Sequence, residues 1–211
     1  MAKKQEQVIM IKKPNIDYLK IDIVGDTPVN IHRLSKKLKD EFDARDQNKP
    51  IKKRGARDKQ VEFMDSLYYI DGKGEEVQMP KKITSSTRFG FPSSGFKKAM
   101  VFAARQYQNI KMTELRGRFF VMNSFVEIKG KPVMDEFWRR INSKGPGTGT
   151  PDIGVRAVFP KWSATLHIKY NKDVISAESV VNLLQTAGLS VGIGEDRPDK
   201  SGNTFGMWHV K

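Results

Sequence analysis

From residue 18 to 24 apolar and polar side chains alternate, with Leu19, Ile21 and Ile23 on one face and Lys20 and Asp22 on the other. Period-two alternation predicts a strand with one face buried. Gly25-Asp26-Thr27-Pro28 breaks it, and Thr27 followed by Pro28 predicts a helix cap and a first helical residue. The helix that follows carries Ile31, Leu34, Leu38 and Phe42 at helical spacing, with Arg33, Lys36, Lys37 and Lys39 around the stripe. The core pattern then stops from residue 44 to 60. Lys49 to Arg57, including Lys52, Lys53 and Arg54, is a basic run too polar to pack. It predicts a solvated loop or an arm that orders on a phosphate backbone.

Helical or mixed structure resumes over 61–69, and Asp71-Gly72-Lys73-Gly74 signals a hairpin turn. The segment Arg88-Phe89-Gly90-Phe91-Pro92-Ser93-Ser94-Gly95-Phe96-Lys97-Lys98 leads into a helix. Ser93 or Ser94 is its expected cap, and Phe96, Met100, Ala103 and Tyr107 are its buried stripe. Lys97, Lys98 and Arg105 lie off that stripe. Strands are predicted over 117–122, with Arg116 and Arg118 at the start, and over 125–128. Gly130-Lys131-Pro132 is a turn. A short helix is predicted over 135–142, carrying Trp138, Arg139 and Arg140, followed by a flexible linker over 143–150.

The last third is the most regular. Residues 163–170 alternate strictly, with Ala164, Leu166, Ile168 and Tyr170 on the core face. Ser176 caps a helix whose Val180, Val181, Leu183, Leu184 and Ala187 face inward, and Gly188 is its expected end. A glycine-punctuated segment runs from 188 to 194, then a polar loop to 203 and a final strand over 204–210. Short strands alternating with amphipathic helices predict an α+β fold. The form expected is ferredoxin-like (RRM-like), an antiparallel sheet with helices on one face. The whole chain, 1–211, reads as one domain with a basic arm inserted at 44–66 and a flexible insertion at 129–150.

Charge changes the picture from fold to partner. Thirty-eight Lys and Arg against 24 Asp and Glu leave a formal net charge of +14 on 211 residues. A polyanion is the expected partner, because neutralised phosphates release condensed counterions. The chain has no cysteine, which excludes disulfides, thiolate zinc sites and a cysteine nucleophile and fits a reducing compartment. The apolar stretch Val8 to Ile11 is too short for a secretory core, and no run is long enough to span a bilayer. A cytoplasmic protein without membrane contact is expected.

Specific chemistry is scarce. Gly192-x-Gly194 lacks the third dinucleotide glycine and follows a helix instead of preceding one, and Gly145, Gly147 and Gly149 lack the Lys-Ser/Thr of a P-loop. No cofactor is expected. His32, His167 and His209 have no metal-ligand spacing. His32 and Asp26, six positions apart around a turn, are the candidates for strand cleavage. Basic residues interleaved with aromatics carry more, since phosphates need cations and unpaired bases need flat side chains. Arg88-Phe89, Lys97-Lys98, Trp138-Arg139-Arg140 and Lys161-Trp162 offer this pairing.

The segment from Phe91 to Met100 resembles the proline-serine-serine, apolar, lysine segment of the RAMP superfamily, the ferredoxin-like RNA-binding proteins of CRISPR effector complexes. The segment from Gly188 to Val210 is similar to that family's glycine-rich loop before the last strand. Phe159-Pro160-Lys161-Trp162-Ser163 and the run from Ser190 to Pro198 also look like small phage proteins of this fold. The resemblance covers about two thirds of the chain. It departs where Gly95-Phe96 follows the serines and over 49–60, which matches nothing in the family. It implies a helix start, Ser93 to Lys98, lying against an RNA backbone, and copies that polymerise along the strand, alone or with other effector subunits.

The expectation is thus a protein that binds single-stranded RNA, or DNA, along its backbone without catalysis. The contacts expected are Arg33, Lys36, Lys37, Lys52, Lys53, Arg54, Arg57, Arg88, Phe89, Ser93, Ser94, Lys97, Lys98, Arg105, Arg116, Arg118, Trp138, Arg139, Arg140, Lys161 and Arg197. The alternatives are a phage-type single-stranded DNA-binding or annealing protein and an endoribonuclease of the same superfamily.

Overall fold

A computed structural model describes residues 12–50, 56–141, 144–145 and 148–211. In chain order the elements are strands β1 (Ile16–Gly25) and β2 (Val29–Ile31), helices α1 (Lys36–Asp46) and α2 (Lys59–Asp65), and strands β3 (Tyr68–Ile70) and β4 (Arg88–Pro92). Helices α3 (Ser93–Ala103) and α4 (Met112–Leu115) follow, then strands β5 (Phe119–Val121), β6 (Phe125–Gly130), β7 (Val133–Ile141), β8 (Thr150–Phe159) and β9 (Trp162–Asn171). The chain closes with α5 (Ala177–Ser190), α6 (Pro198–Ser201) and β10 (Trp208–Val210).

The main sheet is antiparallel and ordered β10-β1-β9-β6-β4-β3, with β5 lying end to end with β6 along the same edge of β9. The order β10-β1-β9-β6, with α3 and α5 packed against one face, is the ferredoxin-like arrangement expected from the alternating pattern. Its inward positions are those read from the sequence. Ile21 and Ile23 of β1, and Ala164, Leu166, Ile168 and Tyr170 of β9, are buried against Phe96, Met100, Leu183 and Leu184. Full burial of each Ile, Leu, Phe or Met among them stabilises the fold by roughly 1.5–3 kcal/mol.

A second sheet, β2-β8-β7, corrects the sequence reading in two places. Val29–Ile31 is a strand paired with β8, not the first turn of a helix. Thr27 does not cap; its carbonyl accepts from Trp162 Nε1 at 2.8 Å. The first helix begins later, where Ser35 Oγ accepts from the Leu38 N–H at 3.2 Å. Leu34 and Phe42, expected in the core, are exposed. The helix predicted over 135–142 is strand β7, paired with β8 from Val133↔Val158 to Ile141↔Thr150. Phe137 and Ile141 at i and i+4 suit either structure, and a nine-residue ladder outweighs weak helix propensity.

The expected arm at 44–66 contains the end of α1 and all of α2, whose Phe63 and Met64 join the core. Lys52, Lys53 and Arg54 lie outside the described residues. Gly188 does not end α5, which continues to Ser190. It lets the helix approach β10, because a Cβ there would meet Trp208 O at 2.0 Å.

Candidate nucleic-acid interface

The start of α3 and the glycine-rich loop, far apart in sequence, face each other across a cleft of about 310 Å3. Phe91, Gly95, Lys98 and Phe102 form one wall, and Val191 to Glu195 the other, with His32 and Lys200 also lining it. Loop geometry follows from its glycines. Gly192 and Gly194 hold positive φ of 70° and 84°, which glycine adopts without steric cost. A Cβ on Gly194 would lie 2.4 Å from Asn30 O, so only glycine lets the loop close onto β2. There the Glu195 N–H donates to Asn30 O at 2.9 Å.

That contact delivers Glu195 to two partners the sequence did not connect. Arg156 Nε donates to its Oε2 at 2.5 Å, and His32 Nδ1 lies 3.4 Å from the same oxygen. The hydrogen bond from His32, followed by the hydrogen bond and charge of Arg156, holds the carboxyl down at about 2 despite partial burial. Arg156 is buried. Beside it, Asn30 Nδ2 donates to Asp196 at 3.1 Å.

Ser93 does not cap α3. It is buried, its N–H donates to Ser124 O and its hydroxyl to Met122 O at 3.3 Å, fastening the helix start to the break between β5 and β6. Ser94 is exposed. Lys98 faces the cleft, while Lys97 turns the other way and places Nζ 3.8 Å from the centre of the Phe120 ring. Partial desolvation there lowers the Lys97 pKa. Lys98 and Lys200 carry no ion pair among the described residues. Nothing in the sequence distinguishes Lys200 from other lysines, since only the folded loop brings it opposite α3.

No protein-family model matches the sequence, and no curated protein does. Solved structures do. A chain of the type III-B Cmr-beta complex bound to cognate target RNA superposes with a TM-score of 0.51 at 13% identity, over 93% of this chain and 59% of that one. The protein shares the fold of that Cmr-beta chain. It spans about three fifths of the length of that Cmr-beta chain. Cmr6 from Pyrococcus furiosus gives 0.46 at 8% identity, covering 96% of this chain and 100% of that one. A chain of a CRISPR RNA-guided surveillance complex gives 0.36 at 11%, covering 91% and 66%.

On this fold the remaining candidates separate by what they touch. Phe89 is buried against Tyr69 and Phe159, so it offers no face to a base. Arg33 bridges Asp65 and Glu76, and Arg57 bridges Glu62 and Asp152. Both brace the fold. Arg118 is held by Glu114 and the Val174 carbonyl, Arg105 by Asp199, and Arg88 faces Glu127 at 3.7 Å. Arg197 donates to Gly194 O and braces the loop from within. Arg116 and Lys161 are exposed without an ion pair among the described residues. Lys36 and Lys37 sit on α1, and Arg139 and Arg140 on β7; their side chains lie outside the described ones. Trp138 is 77% exposed and lines a second cleft of about 460 Å3 with Phe137, Asp196, Asn203 and Phe205.

The two cleavage candidates have separate partners. Asp26 Oδ1 lies 2.5 Å from His209 Nδ1, on β10, whereas His32 faces Glu195. Among the described residues no three His, Asp or Glu side chains are grouped to hold a metal ion. No helix among them is long and apolar enough to cross a membrane.

Proposed function

We propose that this protein binds a single-stranded nucleic acid, RNA in preference to DNA, along its phosphate backbone, as a repeating subunit of a ribonucleoprotein and without cutting the strand. The observation that carries the reading is the meeting of the α3 start and the glycine-rich loop across one cleft, with Lys98 and Lys200 free to contact phosphates. Phosphate contacts of this kind position a strand without reading its sequence. The net charge of +14 favours the same ligand. Sharing the fold of a Cmr-beta chain seen in a complex with target RNA makes RNA the first ligand to test.

The test is purification without nuclease, extraction of bound nucleic acid, and separate digestion with RNase and DNase. RNase-sensitive material is expected, and mass measurements on strands of increasing length should show copies added in proportion to length. DNase-sensitive material alone would favour the single-stranded DNA reading. Absence of bound nucleic acid, together with failure to bind added strands, would overturn both.

A further inference from the structure

The helices cover one face of the main sheet; its other face is open among the described residues, and its side chains are not a random polar surface. Register decides which of them meet. Tyr18 of β1 lies directly opposite Lys169 of β9, and Lys169 lies directly opposite Phe120 of β5. One transverse row therefore reads aromatic, cation, aromatic. Adjacent strands are about 4.8 Å apart, so the two rings stand about 10 Å apart with the ammonium stem between them. Tyr18 is 62% exposed and Phe120 45%. Both rings lie where their strand has β9 on one side and no strand on the other, and together with the lysine between them they make one exposed aromatic and cationic row.

The neighbouring row places Lys20 opposite His167. Beyond it the face sinks into a cleft of about 280 Å3 lined by Lys20, Arg88, Lys129, Thr165 and His167 among others. Lys20, Lys129 and Lys169 carry no ion pair among the described residues. The acidic groups on this face are engaged. Asp22 accepts from Thr165 Oγ1 at 2.6 Å, Glu127 faces Arg88, and Asp71 accepts from its own turn N–H groups. Lys97, from the helix side, holds its ammonium over Phe120 and so adds a cation at the edge of the row. Free cations and flat exposed rings at cross-strand spacing are what an unpaired strand needs: rings for bases and ammonium groups for phosphates.

We infer that the open face of the main sheet, centred on the row Tyr18–Lys169–Phe120, is a second single-strand-binding surface, separate from the cleft between α3 and the glycine-rich loop. It rests on the ligand class proposed above and adds a second place for it, so that one subunit holds nucleic acid on both sides of its sheet. Bases stack on Tyr18 and Phe120 while Lys169, Lys20 and Lys129 neutralise the backbone between and beyond them.

The experiment uses oligouridylate carrying 5-iodouracil, photocrosslinked to the full-length protein and mapped by mass spectrometry, beside affinity measurements on variants. Crosslinks at Tyr18 and Phe120 are expected. Tyr18→Ala and Phe120→Ala should each weaken binding about tenfold, while Tyr18→Phe keeps the ring and the affinity. Tyr18 is largely exposed, so the melting temperature of its variants should hold; Phe120 also packs on Lys97, so the affinity of Phe120→Ala is measured well below its own melting temperature. In Lys98→Ala/Lys200→Ala protein the sheet-face crosslinks should persist. If the wild type binds but crosslinks map only to the cleft and both alanine variants keep full affinity, the sheet-face inference is wrong and the cleft reading stands. If these variants keep strand binding but change the mass of the free protein, the face joins copies of the chain, which also overturns it. If the wild type binds no strand, both readings fall.

Discussion

Arg156 on β8 and Glu195 in the glycine-rich loop are joined by a 2.5 Å hydrogen bond that ties the second sheet to one wall of the cleft. His32 shares the same carboxylate oxygen. The pair explains why an otherwise polar loop keeps a defined shape beside α3: a buried guanidinium has one carboxylate to meet, and the loop must supply it.

Glu195→Gln is therefore expected to destabilise the protein, because it leaves Arg156 buried without its counter-charge. Glu195 titrates near 2 in the fold against 4.5 unperturbed, so its contribution is complete above about pH 4.5 and is lost as pH falls toward about 2. The depressed value corresponds to about 3 kcal/mol at neutral pH. Denaturant unfolding at pH 7 and pH 3 should show the gap between wild type and variant narrowing with acid; a pH-independent gap would remove the ion-pair explanation.

Gly188→Ala sets two effects against each other. Alanine in a helix gains about 1 kcal/mol over glycine, but the added methyl would sit 2.0 Å from the Trp208 carbonyl, a backbone atom that cannot swing away. Overpacking of that kind costs about 3 kcal/mol, so a net loss near 2 kcal/mol and a lower melting temperature are expected. Gly117→Ala, with open space around the new methyl, should be neutral or slightly stabilising.

Lys98→Ala/Lys200→Ala should weaken strand binding and flatten its dependence on salt. Each lost phosphate contact removes about 0.7 from the log–log slope on a single strand, so the double variant should lose about 1.4 with an unchanged melting temperature. An unchanged slope would place the strand elsewhere.

End-labelled RNA and DNA incubated with the protein, with and without magnesium or manganese, should remain intact. Asp26 and His32 face His209 and Glu195 and do not meet in a shared acid–base pair. Cleavage that disappears in His32→Ala or Asp26→Ala would reinstate the endoribonuclease alternative.

Local pattern alone determined strand β9 and the start of helix α5, whereas the final strand, expected over 204–210, is confined to Trp208–Val210. In β9 every second residue is apolar, and Ser176 begins α5 with its hydroxyl accepting from the Ser179 N–H. Both signals act within a few residues, so they survive without tertiary context. The basic character and the α3 segment were legible for the same reason. The short β2 was not, because its partner β8 lies far along the chain, and β7 was not, because its helical spacing reads equally as a strand and its ladder to β8 forms across a segment that reads as a flexible linker. Nor could sequence say which cations are free. Arg33 reads like Lys98 until the fold brings Asp65 and Glu76 to it, and Arg57 until Asp152 joins its near neighbour Glu62. Whether a charge meets a phosphate or a neighbour depends on chain reversals that set distant residues a few ångströms apart, and only the tertiary structure decides those.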